Sequence, residues 1–192
     1  MSSDAAAKTV LHVGCGPNVA HRLHPTFHTA QWHELRLDID PEHQPDIVAD
    51  IMDMSVVGSG SVDAIWSSHN LEHLYSHEVP VALNEFYRVL KPGGLALITL
   101  PDLQTVAAYI AQGRLEDVLY ESPAGPILAI DVVYGHRASV ARGNQFMAHK
   151  TGFTAQSLGQ KLLDVGFAKV EVKQDDAFAL WALAIKALAS SP

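Results

Sequence analysis

Cysteine is nearly absent from this sequence, and the single thiol belongs to Cys15. One thiol excludes an internal disulfide and any zinc cluster built from several cysteines. Proteins without disulfides are typical of the reducing cytosol. We therefore expect a cytoplasmic protein. The start MSSDAAAKTV agrees, because it lacks the basic segment and apolar stretch of a secretory leader.

Positive charge and long apolar runs are also scarce. The chain has 13 Lys and Arg against 21 Asp and Glu, a formal net charge of −8. Such a surface repels phosphate backbones, so no nucleic acid is expected as a partner. The most apolar stretch, residues 178–189, is interrupted by Lys186 and is shorter than the roughly 20 residues that a spanning helix needs. We expect no membrane span, and the oligomeric state stays open.

The sequence contains five short apolar runs, each ended by turn residues, and these runs predict β-strands. The chain has 192 residues, of which 48% are apolar, and this suits one globular domain over 1–192. Continuous apolar runs are typical of parallel strands covered on both faces, so we expect helices between them. The predicted strands are residues 9–13, 34–39, 46–50, 62–66 and 94–100.

Two helices and a final pair of strands complete the predicted order. The first helix begins after Ser76 as N-cap and ends at the Lys91-Pro92-Gly93-Gly94 stop signal. The second begins after Thr154 and ends at Gly166. Residues 168–173 and 178–187 are strand-like, and their short link predicts an antiparallel pair.

A glycine turn and two acidic residues suggest a nucleoside site. Gly14 and Gly16 follow the first strand, where backbone N–H groups can approach a ligand at a helix start. The dinucleotide fingerprint G-x-G-x-x-G is incomplete, because its third glycine would fall at Val19. Asp38 ends the second strand, 22 residues after Gly16, where an acid can accept hydrogen bonds from a ribose diol. Asp50 ends the third strand and should line the same crevice.

Five segments in order carry a family resemblance: VLHVGCG, LDIDP, VADIMDM, SVDAIWSSHNLEHL and RVLKPGGLALITLPDL. Over residues 9–103 the chain resembles a class I S-adenosylmethionine-dependent methyltransferase of the type-11/12 group. The resemblance implies an α/β, doubly wound, Rossmann-like sheet of seven strands in the order 3-2-1-4-5-7-6, with strand seven antiparallel. It implies S-adenosylmethionine as cofactor and transfer of its methyl group to an acceptor, for which we expect a small molecule.

The resemblance also assigns cofactor-binding residues. Gly14 and Gly16 would contact the amino-acid part of the cofactor, and Asp38 would contact the ribose hydroxyl groups. The adjoining Cys15 and Ile39 are also expected to bind the cofactor. Asp50 and the backbone of Ile51 would contact the adenine, and Ser68 and His69 would lie near the transferred methyl group. The chain departs from the family at His12, where an acidic residue is usual, and at Asn18, where glycine is usual.

Residues 69–73, HNLEH, also match the H-x-x-E-H motif of zinc hydrolases. Such a hydrolase needs this motif inside a long helix and a third ligand downstream, whereas here it follows a strand directly. We therefore expect no metal and a structural role for His73. His69 is the expected catalytic base, because a histidine titrating near neutrality can take a proton from the acceptor.

Residues 102–150 are longer than an ordinary connection and are expected to cap the carboxyl edge of the sheet over the acceptor. Tyr134, His136 and His149 would line the acceptor site, and both histidines compete with His69 as base. The cations Arg137, Arg142 and Lys150 hint at an anionic acceptor.

Three alternatives stay open. One is a protein that binds S-adenosylmethionine or its demethylated product without catalysis, because His12 and Asn18 depart from the family. Another is a NAD-dependent oxidoreductase, which shares the glycine turn and the ribose carboxylate. The third is the zinc hydrolase. The acceptor, and whether its methylated atom is oxygen, nitrogen or carbon, stay open as well.

Overall fold

The computed structural model describes residues 7–19, 22–122 and 125–189. These residues form nine strands: β1 (Lys8–Val13), β2 (Trp32–Asp38), β3 (Ile47–Val48), β4 (Val62–Ser68), β5 (Leu90–Pro101), β6 (Val118–Ser122), β7 (Gly125–Leu128), β8 (Lys169–Gln174) and β9 (Ala179–Ile185). The α-helices are α1 (Val79–Val89), α2 (Leu103–Ile110), α3 (Ala129–Tyr134), α4 (Arg137–Ala141) and α5 (Ala155–Val165).

Seven of these strands form one sheet in the order β3-β2-β1-β4-β5-β9-β8. Strand β9 runs antiparallel to β5 and β8, and the remaining neighbours are parallel. Within this sheet β8 is the sixth strand along the chain and β9 the seventh. The predicted order 3-2-1-4-5-7-6 with an antiparallel seventh strand is therefore confirmed. Strands β6 and β7 form a separate hairpin.

Helix α5 begins and ends where the sequence predicts. The Thr154 hydroxyl accepts a 3.2 Å hydrogen bond from the backbone N–H of Ser157, and Gly166 closes the helix with φ at 109°. Helix α1 begins later than predicted. The carboxylate of Glu78 accepts a 2.7 Å bond from the N–H of Tyr75, so residues 76–78 form a turn and Ser76 is not the N-cap. Pro92 to Gly94 then form an irregular part of β5.

The predicted helices between the first strands are absent from the described residues. The β1–β2 connection contains a 3₁₀ turn at Pro25–Phe27, and the β2–β3 connection contains another at Pro41–His43. The β2–β3 connection, residues 39–46, is too short to hold a helix of ordinary length. In the β1–β2 connection, no α-helix follows the glycine turn in the described residues. Instead, Phe27 packs with Val10, Ala64 and Trp66 on one face of the sheet.

The main core lies on the other face of the sheet, under α1 and α5. Leu83 and Phe86 of α1 and Leu158 and Leu162 of α5 are fully buried there. They pack against strand residues that include Ile65, Ile98 and Leu180. Burying each such side chain stabilises the fold by about 1.5–3 kcal/mol, so this layer fixes the position of the strand ends.

The segment from α2 to the 3₁₀ turn at Gln145–Met147 has a small core of its own, which contains Val106, Ala129 and Val132. Asp102 joins it to the sheet, because its carboxylate caps α2 and accepts a hydrogen bond from Gln174.

No helix of the described chain has both the length and the apolar character that crossing a membrane requires. The expected lack of a leader concerns residues 1–6, which lie outside the described ranges.

Candidate functional site

The glycine turn after β1 has a left-handed backbone, with φ at 57° for Gly14 and 60° for Gly16. A Cβ atom on Gly14 would lie 1.8 Å from Oδ1 of Asn70, so this position requires glycine. The Nδ2 group of Asn70 donates a 2.9 Å hydrogen bond to the carbonyl of Val13. Asn70 therefore joins the turn to the loop after β4, a role that the sequence did not reveal.

Two side chains of β2 form hydrogen bonds with the backbone N–H and carbonyl groups of Gly16. The Asp38 carboxylate is only 6% exposed and accepts a 2.7 Å hydrogen bond from the Gly16 N–H and a 2.9 Å bond from the Asp40 N–H. Arg36 donates a 2.6 Å bond to the Gly16 carbonyl. A carboxylate has about four acceptor positions, so Asp38 keeps capacity for further donors such as a ribose diol.

The remaining predicted cofactor residues lie along the same edge. Asp38 pairs with Val48 in the β2–β3 register, so the ends of these strands are level and Asp50 lies beside them. Asp50 is half-buried and accepts a 2.9 Å bond from the Met52 N–H, Ile51 is half-buried, and Ile39 is 46% exposed.

Cys15 lies within the glycine turn but points its side chain into the protein. Its side chain is buried, and burial raises the pKa of its thiol to about 11. Its N–H donates to the carbonyl of Leu37 at 3.1 Å. Behind it is a cavity of about 210 Å³ that contains His12, whose Nδ1 lies 2.6 Å from Oε1 of Glu34. Burial lowers the pKa of His12.

Ser68 and His69 follow at the carboxyl end of β4, whose Ser67 is level with Val13 of β1. His69 adopts φ of 55°, which is uncommon outside glycine. Its ring is 48% exposed, and its Nδ1 lies 3.2 Å from Oε1 of the buried Glu72. Burial works to lower the pKa of His69, but the hydrogen bond and charge of Glu72 outweigh it and raise that pKa. Burial likewise works to raise the pKa of Glu72, and the His69 hydrogen bond lowers it.

A cavity of about 260 Å³ lies beside His69. Aromatic side chains form much of its wall, and Trp66 and Trp181 stack with ring centroids 5.9 Å apart. Asp175, between β8 and β9, accepts a 2.8 Å bond from the indole N–H of Trp181. Ser68 and His69 were predicted from the sequence, but the other side chains come from distant segments and were not. They include Trp66, Thr99, Tyr120, Asp175, Phe178 and Trp181.

The predicted acceptor-lining residues do not meet His69 in this cavity. Tyr134, which is 63% exposed, and His149 line another cavity of about 230 Å³, together with Glu72. His136 lies elsewhere, with Nδ1 2.8 Å from the Ser139 hydroxyl. In the described parts of the chain it lines none of the three cavities.

The cations that hinted at an anionic acceptor have other partners. Arg137 donates a 2.7 Å hydrogen bond to the buried Asp131. Lys150 lies over the ring of Tyr75, 4.9 Å from its centroid, and Arg142 donates to the Ser139 hydroxyl at 3.2 Å. The described lining of the cavity beside His69 contains no Lys or Arg.

Comparison with protein families identifies residues 11–98 as a match to the family described as a methyltransferase domain. This range contains the glycine turn, both acidic strand ends and His69. The comparison with curated proteins found no match.

Solved structures share the fold over nearly the whole chain. A SAM-dependent methyltransferase from Archaeoglobus fulgidus has a TM-score of 0.59 and 14% identity, and the match covers 94% of this chain and 86% of that one. A SAM-dependent methyltransferase from Methanosarcina mazei has a TM-score of 0.60 and 17% identity, with 96% and 94% covered.

A third structure contains bound ligands. It is the 1,6-didemethyltoxoflavin-N1-methyltransferase of Burkholderia thailandensis, with bound 1,6-didemethyltoxoflavin and S-adenosylhomocysteine. Its TM-score is 0.56 at 14% identity, and the match covers 95% of this chain and 72% of that one. At such identities the likeness establishes the fold.

Proposed function

We propose that the chain transfers a methyl group from S-adenosylmethionine to a small-molecule acceptor. Residues 11–98 match the family described as a methyltransferase domain, and the chain shares the fold of S-adenosylmethionine-dependent methyltransferases. The observation that carries this proposal is the joint position of the glycine turn, Asp38 and His69 at one edge of the sheet. The turn and the carboxylate would hold the cofactor, and His69 lies beside the space for an acceptor.

The residues at the sheet edge fit the cofactor. The tight approach of Gly14 to Asn70 leaves a turn of bare backbone, and Asp38 retains acceptor positions for ribose hydroxyl groups. By analogy with the family, Gly14 and Gly16 would hold the amino-acid part, and Asp50 with Ile51 would hold the adenine. When bound, S-adenosylmethionine supplies an electrophilic methyl group to a nucleophile placed in line with it.

Most of the rate enhancement in such a transfer comes from holding the two reactants in line, which can contribute about 7–11 kcal/mol. The buried core under β1 and β4 fixes the turn and Ser68 relative to each other, so the chain provides a rigid frame for this alignment. The aromatic wall of Trp66 and Trp181 would orient a flat acceptor and exclude water.

His69 would take the proton from an acceptor hydroxyl or protonated amine. Glu72 engages its Nδ1 at 3.2 Å, which orients the ring and leaves Nε2 for the acceptor. His136 is a poorer candidate because it lines neither neighbouring cavity.

The size and charge of the cavity support a small, neutral or cationic acceptor. Its volume of about 260 Å³ lies near the lower end of ligand pockets, and its described lining includes Asp175 but no Lys or Arg. The net charge of −8 opposes a nucleic acid as acceptor. The single cysteine supports our expectation that the enzyme works in the cytoplasm, and residues 102–150 would form part of the acceptor site.

The test is to incubate the full chain with methyl-labelled S-adenosylmethionine and a whole-cell extract, and then to separate small molecules, proteins and nucleic acids. We expect label in a small molecule, at a rate that His69→Asn reduces and His136→Ala does not. Label in protein or nucleic acid would refute a small-molecule acceptor. Binding of the cofactor without any labelled product would favour a non-catalytic binding protein, and binding of NADH alone would favour the oxidoreductase.

A further inference from the structure

Three side chains from separate parts of the chain converge behind His69. Glu72, His73 and His149 each place one possible ligand atom within 4.8 Å of the others. The rings of His73 and His149 lie edge to face, with centroids 4.9 Å apart. The methyl transfer proposed above uses this cluster only through the contact of Glu72 Oε1 with His69.

The hydrogen bonds of both histidines leave the same nitrogen free. Nδ1 of His73 lies 3.1 Å from the carbonyl of Ala148, and Nδ1 of His149 lies 2.8 Å from the carbonyl of Val132. A carbonyl oxygen only accepts, so each Nδ1 carries a proton and each Nε2 is the nitrogen left to bind a metal ion. This arrangement orients the histidine ligands of many metal sites.

Glu72 supplies the observation that points to a missing partner. Its side chain is 2% exposed, and its Oε2 has no hydrogen-bond partner among the described residues. Its Oε1 is engaged by His69, so only Oε2 is left over. A buried carboxylate oxygen without a partner is costly, and a bound cation removes that cost.

The backbone is built to bring these three residues together. The N–H groups of Lys150 and Thr151 donate to the carbonyl of Glu72 at 2.8 and 3.2 Å, which fixes His149 beside it. At Gly135, which has φ of 90°, a Cβ atom would lie 1.9 Å from the carbonyl oxygen of Met147. Glycine therefore allows the end of α3 to approach the segment that carries His149.

We propose that Glu72, His73 and His149 bind one Zn²⁺ ion. Two imidazole nitrogens and one carboxylate oxygen are a ligand set that zinc accepts with tetrahedral geometry, which would draw the ligand atoms to about 3.4 Å from one another. Glu72 and His149 also line the cavity of about 230 Å³, which gives the ion a route of entry. A water molecule from this cavity would complete the four ligands.

This inference revises the expectation of no metal drawn from the HNLEH motif. The motif would use His69 and His73 as ligands on a long helix, but residues Leu71–His73 form a 3₁₀ turn and His69 engages Glu72 instead. The third ligand comes from His149, 77 residues beyond Glu72 in the sequence. The ion would join the segment 129–149 to the turn after β4.

The test uses the purified full chain, stripped with a chelator and titrated with Zn²⁺ by calorimetry. We expect one Zn²⁺ per chain and a higher melting temperature in the bound form. Glu72→Gln and His149→Ala should each weaken binding by more than the roughly 100-fold that loss of a supporting contact costs at metal sites. His33→Ala is the matched control, because His33 is exposed and lies on β2.

A second measurement uses only the wild-type protein, so it tests the proposal even if the variants fail to fold. Co²⁺ added to the stripped wild-type protein should produce the strong visible absorption of a four-coordinate site, and Zn²⁺ should abolish it. The proposal is wrong if the wild type takes up neither ion, or if folded Glu72→Gln binds Zn²⁺ as tightly as the wild type. These readouts do not involve methyl transfer, so they are independent of the proposed activity.

Discussion

The Asp38 carboxylate accepts a 2.7 Å hydrogen bond from the backbone N–H of Gly16, which precedes it by 22 residues. This bond joins the turn after β1 to the end of β2. Arg36 completes the connection by donating to the carbonyl of the same glycine at 2.6 Å. The neighbouring strand therefore holds the turn in place through two of its side chains.

The close approach of Gly14 to Asn70 predicts that Gly14→Ala is strongly destabilising. The left-handed backbone costs about 1–2 kcal/mol for alanine, and the added Cβ would displace the Asn70 side chain from the Val13 carbonyl. Urea unfolding should show a total loss of about 2–4 kcal/mol.

Gly60→Ala is the control for this variant, because Gly60 has φ of 61° and no atom within 4 Å of an added Cβ. It should lose only the backbone component of about 1–2 kcal/mol. Equal losses in the two variants would show that the contact with Asn70 does not restrict position 14.

Because Cys15 is buried, we expect its thiol to react slowly with thiol reagents. With its pKa raised to about 11, the side chain carries almost no thiolate at pH 7, and its burial blocks reagents. Reaction with a chromogenic disulfide reagent should be far slower in the native protein than in denaturant, where one thiol per chain should react at once. A native rate like that of free cysteine would contradict this placement.

The ion pair of Asp131 with Arg137 should stabilise the folded state to an extent that depends on pH. Burial works to raise the pKa of Asp131, but the Arg137 hydrogen bond lowers it overall, so the ionised form stabilises the fold. This contribution is present above the unfolded pKa of about 3.9 and is lost as the pH falls through the lower folded value.

Asp131→Asn should therefore reduce the free energy of unfolding at pH 7 by about 2 kcal/mol, and the difference from wild type should shrink below about pH 4. Asp117→Asn, which removes an exposed ion pair with Arg114, should change stability little. Urea unfolding at pH 7 and below about pH 4 tests this prediction. A difference in unfolding free energy that grows on acidification would show that the ionised form of Asp131 does not stabilise the fold.

His69→Asn removes the proposed base and preserves the backbone conformation at this position. Asparagine tolerates the left-handed φ of 55° better than alanine does. Turnover with the trapped acceptor should fall by about 100-fold or more, with little change in cofactor affinity, as expected for loss of a general base. Unchanged turnover, or an equal loss in His136→Ala, would remove His69 from this role.

The sequence predicted the sheet well because its signals are local. Apolar runs ended by turn residues located the strands, and the short link between β8 and β9 implied their antiparallel pairing. Thr154 and Gly166 marked both ends of α5. The start of α1 was predicted wrongly because the carboxylate of Glu78 forms a turn with Tyr75 that no local pattern indicates.

The site was predicted only in part, because its walls depend on tertiary contacts. The sequence could place Asp38 near Gly16, because Asp38 ends β2 and Gly16 lies in the turn that follows the neighbouring strand β1. Trp66, Tyr120 and Trp181 meet beside His69 only through the packing of distant strands. His149 was expected in the acceptor site, but main-chain bonds to Glu72 place it on the other side of that carboxylate.

The most direct test of the account is calorimetric titration of wild type and Asp38→Ala with S-adenosylmethionine. We expect one bound cofactor per wild-type chain and a loss of about 2 kcal/mol or more in Asp38→Ala, roughly a 30-fold weaker affinity, while the variant remains folded. Equal affinity in the two proteins, or no binding to the wild type, would contradict a cofactor site at the carboxyl edge of the sheet.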